Sequence, residues 1–314
     1  MPAAYAHAVI TDRALGQYRD APEVDPPFKA AALRASHFTR LGCISPDYPY
    51  LDLLQFGQAF WADHMHYDHT GDLVQTMARR LMELKGQGME PPEFAIPFAW
   101  TLGYISHVTA DLVVHPIVRS IVGDYASNKD EHRRCEMIQD VYIYHRVRGG
   151  AEIRQSYLLE TLTSCSDPAA PNRIHPTLAA FWGEAFRQHF ASEYATNPPD
   201  IDKWHISYRE FLGAAGRPLF LGRLDAAHKF TYKLTTEITP EERQRFLEAL
   251  PLPGGSSGTY DALFDKAVGD VLGQWVALTR GLGSGTLGPF LAGTPNCNLD
   301  TGEVGASPQL RYWA

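Results

Sequence analysis

The chain has 314 residues, 45% hydrophobic and 20% charged, which is ample for a large core in one or two domains. A formal charge of −8 at pH 7 argues against the basic face of a nucleic-acid binder, and the surplus carboxylates suit a bound cluster of divalent cations. Four scattered cysteines, Cys43, Cys135, Cys165 and Cys297, form no CxxC pair, so neither a zinc ribbon nor a disulfide framework is indicated and reduced, buried thiols are expected.

The start, MPAAYAHAVITDRAL, lacks a basic segment followed by an apolar h-region, and no stretch approaches the roughly 20 apolar residues of a membrane span. A cytoplasmic protein is the expectation. Apolar spacing near 3.6 predicts helices at Ala6–Tyr18, Asp72–Lys85, Phe94–Val122, Ala151–Leu162, Thr177–Tyr194, Tyr208–Phe211, Arg223–Leu234 and Tyr260–Leu278. Strand-like alternation is scarce, so the fold class is all-α. Thr239-Pro240-Glu241-Glu242 offers a helix cap, a first-position proline and two acids at the positive helix end, and Asn128 with Glu131 offers another start. Loops are expected at Pro22–Pro27, Gly86–Pro92, Ser166–Pro176, Asn197–Asp202 and Pro251–Gly258. From Gly281 the chain is Gly/Pro-rich and irregular, and it reads as a strap whose Tyr312 and Trp313 dock on the body rather than as a frayed tail. No internal repeat and no Gly-rich phosphate loop appears.

Residues able to bind metal begin with His7, on the first helix among apolar neighbours, where a lone histidine is more often a core residue than a ligand. Asp47 follows Ser45-Pro46 in a turn, where a capping role is common. WADHMHYDHTG then crowds His64, His66 and His69 with Asp63 and Asp68. His64 and His66 cannot share a helix face. In LGYISHVTADLVVHP, His107, Asp111 and His115 recur every fourth residue in an apolar run, one stripe whose ends are roughly 12 Å apart on a helix. No single zinc readily takes both terminal histidines over that span, whereas a central carboxylate can bridge two metals, so the stripe predicts a multinuclear site. In NKDEHRRCEMIQDVY, His132 and Glu136 face the same way at a spacing that suits one metal, with Asp140 one turn further on. The alternative there is a surface ion-pair ladder with Arg133 and Arg134, which fits Asp140 best.

In this order, His, Asp, His, HxxxDxxxH, HxxxE, the sequence resembles the zinc-dependent phospholipases C, related in fold to the fungal single-strand nucleases and to the N-terminal domain of glycosylphosphatidylinositol phospholipase D. The resemblance covers roughly Tyr5 to Asp140. It implies an all-α bundle with His7, Asp47, His66, His107, Asp111, His115, His132 and Glu136 as ligands of two or three zinc ions. Asp47, Asp111, His66 and His107 would serve one metal, His115, His132 and Glu136 a second, and His7 with shared Asp111 a third. Secreted members use the free N-terminal amine as a ligand, and here the Pro2 amine stands five residues before His7. The chain divides accordingly into a metal-binding helical core at 1–146, a helical extension at 147–280 packed on the same body, and an irregular tail at 281–314.

The function expected is a zinc-dependent hydrolase that cleaves a phosphodiester of a small molecule or lipid head group by a metal-bridging hydroxide, with Asp47 orienting or deprotonating the water. Tyr48, Tyr50, Phe56, Trp61 and Tyr67 stand near the ligands, and core packing is their more usual use than cradling a choline-like group. A cytoplasmic small-molecule zinc hydrolase or biosynthetic enzyme on the same fold is the near alternative. A nuclease would want a basic stacking groove, and a non-catalytic structural zinc site would want sulfur ligands.

Overall fold

The structure, a computed structural model, describes residues 4–51, 57–86, 93–215 and 232–313. Helices carry almost all of its regular structure, and among the described residues the one sheet is a two-stranded hairpin, Leu250–Pro251 against Ser257–Gly258. The fold is all-α. Its axis is the Ala95–Val122 helix. Contrary to the sequence expectation, this helix is long and apolar enough to cross a membrane by length and composition, but most of it is buried inside the protein. It is a core helix, apolar all round because other elements cover it on every side.

Two glycines set the closest of those packings. A Cβ on Gly103 of the central helix would lie 1.9 Å from the Thr39 carbonyl oxygen, and one on Gly42 would lie 2.2 Å from that of Trp100. Only hydrogen fits there, so the Ser36–Gly42 helix rides directly on the central backbone and brings Cys43 and Asp47 against the stripe.

The first helix, Ala4–Asp20, is fixed at three heights: Asp140 accepts the Ala6 amide at 2.6 Å, Thr11 meets Ser106 at 2.7 Å, and the Tyr18 hydroxyl meets Thr279 at 2.7 Å. Thr279 belongs to the Tyr260–Ser284 helix, whose Trp275 indole donates to the Leu102 carbonyl at 2.7 Å. Trp61, Trp100, Trp182, Trp204 and Trp275 are all fully buried, each worth on the order of 2 kcal/mol of transfer free energy.

Several elements depart from the periodicity. Pro26–Arg34 and Ser36–Gly42 are helices too short to show a pattern, the first with proline in its opening turn. Thr177–Tyr194 is two helices, Pro176–His189 and Ala191–Thr196, broken at Phe190. The Ala151–Leu162 segment begins only at Gln155, and Ile201–Ala215 starts inside the expected Asn197–Asp202 loop. Residues 223–231 of Arg223–Leu234 lie outside the described residues, as do 87–92 of Gly86–Pro92, while Tyr232, Lys233 and Leu234 are not helical. Thr239 forms the expected capping box with Glu242. Asn128 precedes the Lys129–Val147 helix, but its side chain donates to the Asp124 carbonyl at 3.2 Å and caps nothing. All four cysteines are free and buried.

The C-terminal segment is a strap. Residues 293–313 cross the N-terminal end of the Thr70–Gly86 helix and the C-terminal half of the central helix, where Trp313 donates its indole N–H to the Val113 carbonyl at 3.0 Å. Pro116 deprives the Leu112 carbonyl of its usual helical donor. Gly302, at φ +77°, passes over that turn so closely that a Cβ would stand 2.4 Å from Pro116 Cγ.

Candidate metal centre

The eight residues drawn from the motifs converge on one buried locus around the middle of the central helix. Asp111 is its hub, with Oδ1 3.0 Å from His7 Nε2 and 3.5 Å from His115 Nε2, and Oδ2 3.1 Å from His107 Nε2. On one side His66 Nε2 lies 3.3 Å from Asp47 Oδ1 and 3.3 Å from His107 Nε2. On the other, Glu136 Oε1 lies 3.2 Å from His115 Nε2 and 3.1 Å from His132 Nε2. Three donor sets result, each with one ligand atom per residue within 4.8 Å of the others: Asp47, His66 and His107; His7, His107 and Asp111; His115, His132 and Glu136. The family resemblance implies Asp111 in the first set as well. In the structure the residue common to the first two sets is His107, while Asp111 joins the second to His115.

Local structure explains the aim of each ring. His66 sits in a π-helical turn, His64–Asp68, which rotates it inward and lets its Nδ1 donate to the Ala62 carbonyl at 2.7 Å. His107 Nδ1 donates to the Cys43 carbonyl at 2.9 Å, and His115 Nδ1 to the Leu299 carbonyl at 2.9 Å. A carbonyl oxygen only accepts, so the proton of each neutral ring is on Nδ1 and the Nε2 lone pair faces the centre. His66 and His107 thus oppose two lone pairs.

That arrangement tests the fit of a metal. With no proton on the facing nitrogens, Asp47 Oδ1 and Asp111 Oδ2 are buried acceptors lacking a hydrogen-bond donor, and His7 Nδ1 and His132 Nδ1 are buried without partners too. Lone pairs converging on buried carboxylates are unfavourable unless a cation stands between them. Imidazole and carboxylate are donors that zinc accepts, and three protein ligands per set leave positions for water or substrate. Burial raises the Asp111 pKa, but His115, His107 and His7 more than offset it and hold the carboxyl well below its ordinary value. For His115, burial acts downward and Asp111 with Glu136 more than offset it, so its pKa stands well above the usual imidazole range.

The other motif residues go elsewhere. His64 turns away, pairing with Asp68 at 3.0 Å and stacking on Phe190 at 4.0 Å between centroids. Asp140 is not on a surface ladder. It is fully buried, accepts from Ala6 N and from the Tyr232 hydroxyl at 2.7 Å, and so anchors the helix end that carries His7. Burial pushes its pKa up to about 7 against those hydrogen bonds. His69 pairs with Asp72 at 2.8 Å, outside the centre. Of the nearby aromatics, Tyr48 and Trp61 are wholly buried in the core, and Phe56 lies outside the described residues, as does Pro2. Tyr50 and Tyr67 are half-buried: Tyr50 donates to Asp63 at 2.6 Å with its ring 5.4 Å from that of His66, and Tyr67 donates to Asp300 at 2.8 Å.

The strap's part was not visible in the sequence. The Leu299 amide donates to the His66 carbonyl at 2.9 Å while its own carbonyl accepts from His115 Nδ1, so the backbone of one residue holds ligands of two donor sets. No residue type signals a backbone contact of this kind.

The sequence model of a family described as zinc dependent phospholipase C matches residues 6–194, more than half of the chain and well beyond the stretch that carries the ligand order. Neither a curated protein nor a solved structure matches the chain. The strap lies outside the matched residues.

Proposed function

Because the chain belongs to the zinc-dependent phospholipase C family, we propose that it is a zinc hydrolase cleaving a phosphodiester, with His7, Asp47, His66, His107, Asp111, His115, His132 and Glu136 as ligands of two or three ions and Asp47 also acting on the attacking water. The observation that carries this reading is the facing of His66 Nε2 and His107 Nε2 at 3.3 Å beside buried, donorless carboxylate oxygens. Bound zinc supplies a nucleophile at neutral pH by lowering the pKa of water and neutralises charge on phosphoryl oxygens. The chain's own residues do the rest. The carbonyls of Ala62, Cys43 and Leu299 hold three imidazoles in one tautomer, so no ring must turn during turnover. Asp47 Oδ1, which has no hydrogen-bond donor, is placed to accept a proton from a water. Burial of all eight residues keeps bulk water from screening the charges.

At the rim, the Tyr50 and Tyr67 rings with Asp63 and Asp300 offer two π faces and two carboxylates, suited to a small phosphodiester whose alcohol portion carries a positive charge. A net charge of −8 disfavours a nucleic-acid strand. The test is a panel of phosphocholine esters, single-stranded DNA and simple carboxylic esters, assayed with zinc and after chelation. Zinc-dependent turnover of the phosphocholine esters supports the reading. Turnover confined to DNA or to carboxylic esters would replace it.

A further inference from the structure

The crowded WADHMHYDHTG motif is only partly used by the buried centre, and its remainder has its own geometry. His69, the last histidine of the motif, precedes the Thr70–Gly86 helix, Asp72 lies in that helix's first turn, and His189 is the last residue of Pro176–His189. We propose that His69, Asp72 and His189 form a second, solvent-accessible metal site for a borderline divalent cation such as Zn2+, separate from the buried centre. One donor atom from each residue lies within 4.8 Å of the other two, and His69 Nδ1 is already 2.8 Å from Asp72 Oδ2. Metal–nitrogen and metal–oxygen bonds of about 2.0–2.2 Å put donors roughly 3.3 Å apart around one tetrahedral ion, so only small shifts of side chains are needed.

The neighbours restrain each donor. Asn296 of the strap donates its Nδ2 to Asp72 Oδ2 at 2.8 Å while its Oδ1 accepts the amides of Gly71 and Asp72 at 2.9 Å each. The Thr76 hydroxyl holds His189 at Nε2, 2.6 Å away. Phe190 packs edge-on to His69, with centroids 5.0 Å apart, and the His69 and His189 rings are 5.6 Å apart. The hydrogen bond between their side chains accounts for His69 and Asp72 but not for His189, which arrives from a different helix. Partial burial raises the Asp72 pKa, and hydrogen bonds from Asn296 and His69 more than offset it; partial burial also keeps His189 below the ordinary imidazole value. Two imidazoles, one carboxylate and open positions suit zinc or nickel better than calcium or magnesium. All three residues are partly exposed, so the ion would exchange readily, unlike those of the buried centre.

The experiment is calorimetric titration of Zn2+ into protein whose buried centre is already loaded and whose weakly held metal has been stripped with a mild chelator. One further equivalent is expected in the parent and in His64→Gln. His69→Asn and His189→Gln should each weaken it at least tenfold while leaving the tightly bound zinc unchanged. No further equivalent in the parent, or full binding by both variants, would overturn the site. Because tight and exchangeable zinc are counted separately, an empty buried centre would sink the proposed hydrolase without touching this inference.

Discussion

Nε2 of His66 and Nε2 of His107 face each other across 3.3 Å, although the Nδ1 atom of each ring gives its proton to a backbone carbonyl. Such a pair repels unless a cation or an extra proton lies between the nitrogens. Metal removal should therefore cost stability. Protein purified without chelator should hold two or three zinc ions per chain, since three donor sets converge. Chelation should lower Tm by roughly 5 °C or more, as each ion at a hundred times its Kd contributes about 2.7 kcal/mol. Zinc analysis and thermal denaturation check both, and one ion or none after supplementation would contradict the cluster.

Asp111 should be the costliest ligand to change. Its two oxygens serve His7 and His115 on one side and His107 on the other, and asparagine keeps the shape while losing the charge and one oxygen donor. Asp111→Asn is expected to lose more than one equivalent of metal and several orders of magnitude in activity. His132→Ala, which touches only the Glu136 set, should lose about one equivalent. Full metal content in Asp111→Asn would disprove its role as hub.

His66 and His64, two residues apart, should behave oppositely. The π-helical turn sends His66 into the centre and leaves His64 with Asp68 and Phe190. His66→Ala should lose metal and activity together, and His64→Ala should keep most of both. The reverse pattern in paired metal and activity measurements would reassign the ligand.

The strap should tune metal affinity from outside the family-matched region. Gly302→Ala puts a methyl 2.4 Å from Pro116 Cγ at a positive φ, a strain of about 1–3 kcal/mol that displaces the peptide holding His115. Competition with a chromophoric chelator should show weakened binding of one zinc with little change in the tightest. Unchanged affinity for every ion would mean that the Leu299 carbonyl does not position His115.

Asp140 gives a pH test in metal-free protein. Its folded-state pKa of about 7 exceeds the reference 3.8, so its contribution to stability is complete below about pH 4 and is lost as pH rises through 7. The slope is at most about 1.4 kcal/mol per pH unit. Asp140→Asn should flatten the decline in denaturant stability between about pH 4 and 7, and an unchanged slope would place the titration elsewhere.

The sequence by itself determined the helical class and the order of the ligands, because both are local properties. A 3.6-residue apolar period marks a buried helix, and a fourfold spacing puts His107, Asp111 and His115 on one stripe wherever that helix goes. Only the tertiary structure decided how the donors are shared and oriented. Thr39 and Trp100 carbonyls packed on Gly103 and Gly42 bring Cys43 to His107, and Leu299, almost two hundred residues from His115, fixes its tautomer through a peptide group. Asp140 has the helical spacing of a further ligand yet is bound to the amides of the first helix, which no spacing rule could show. The physical reason is the same in each case. A backbone carbonyl or amide has no side-chain signature, and its partner is chosen by which segments the core brings within 3 Å or so of each other.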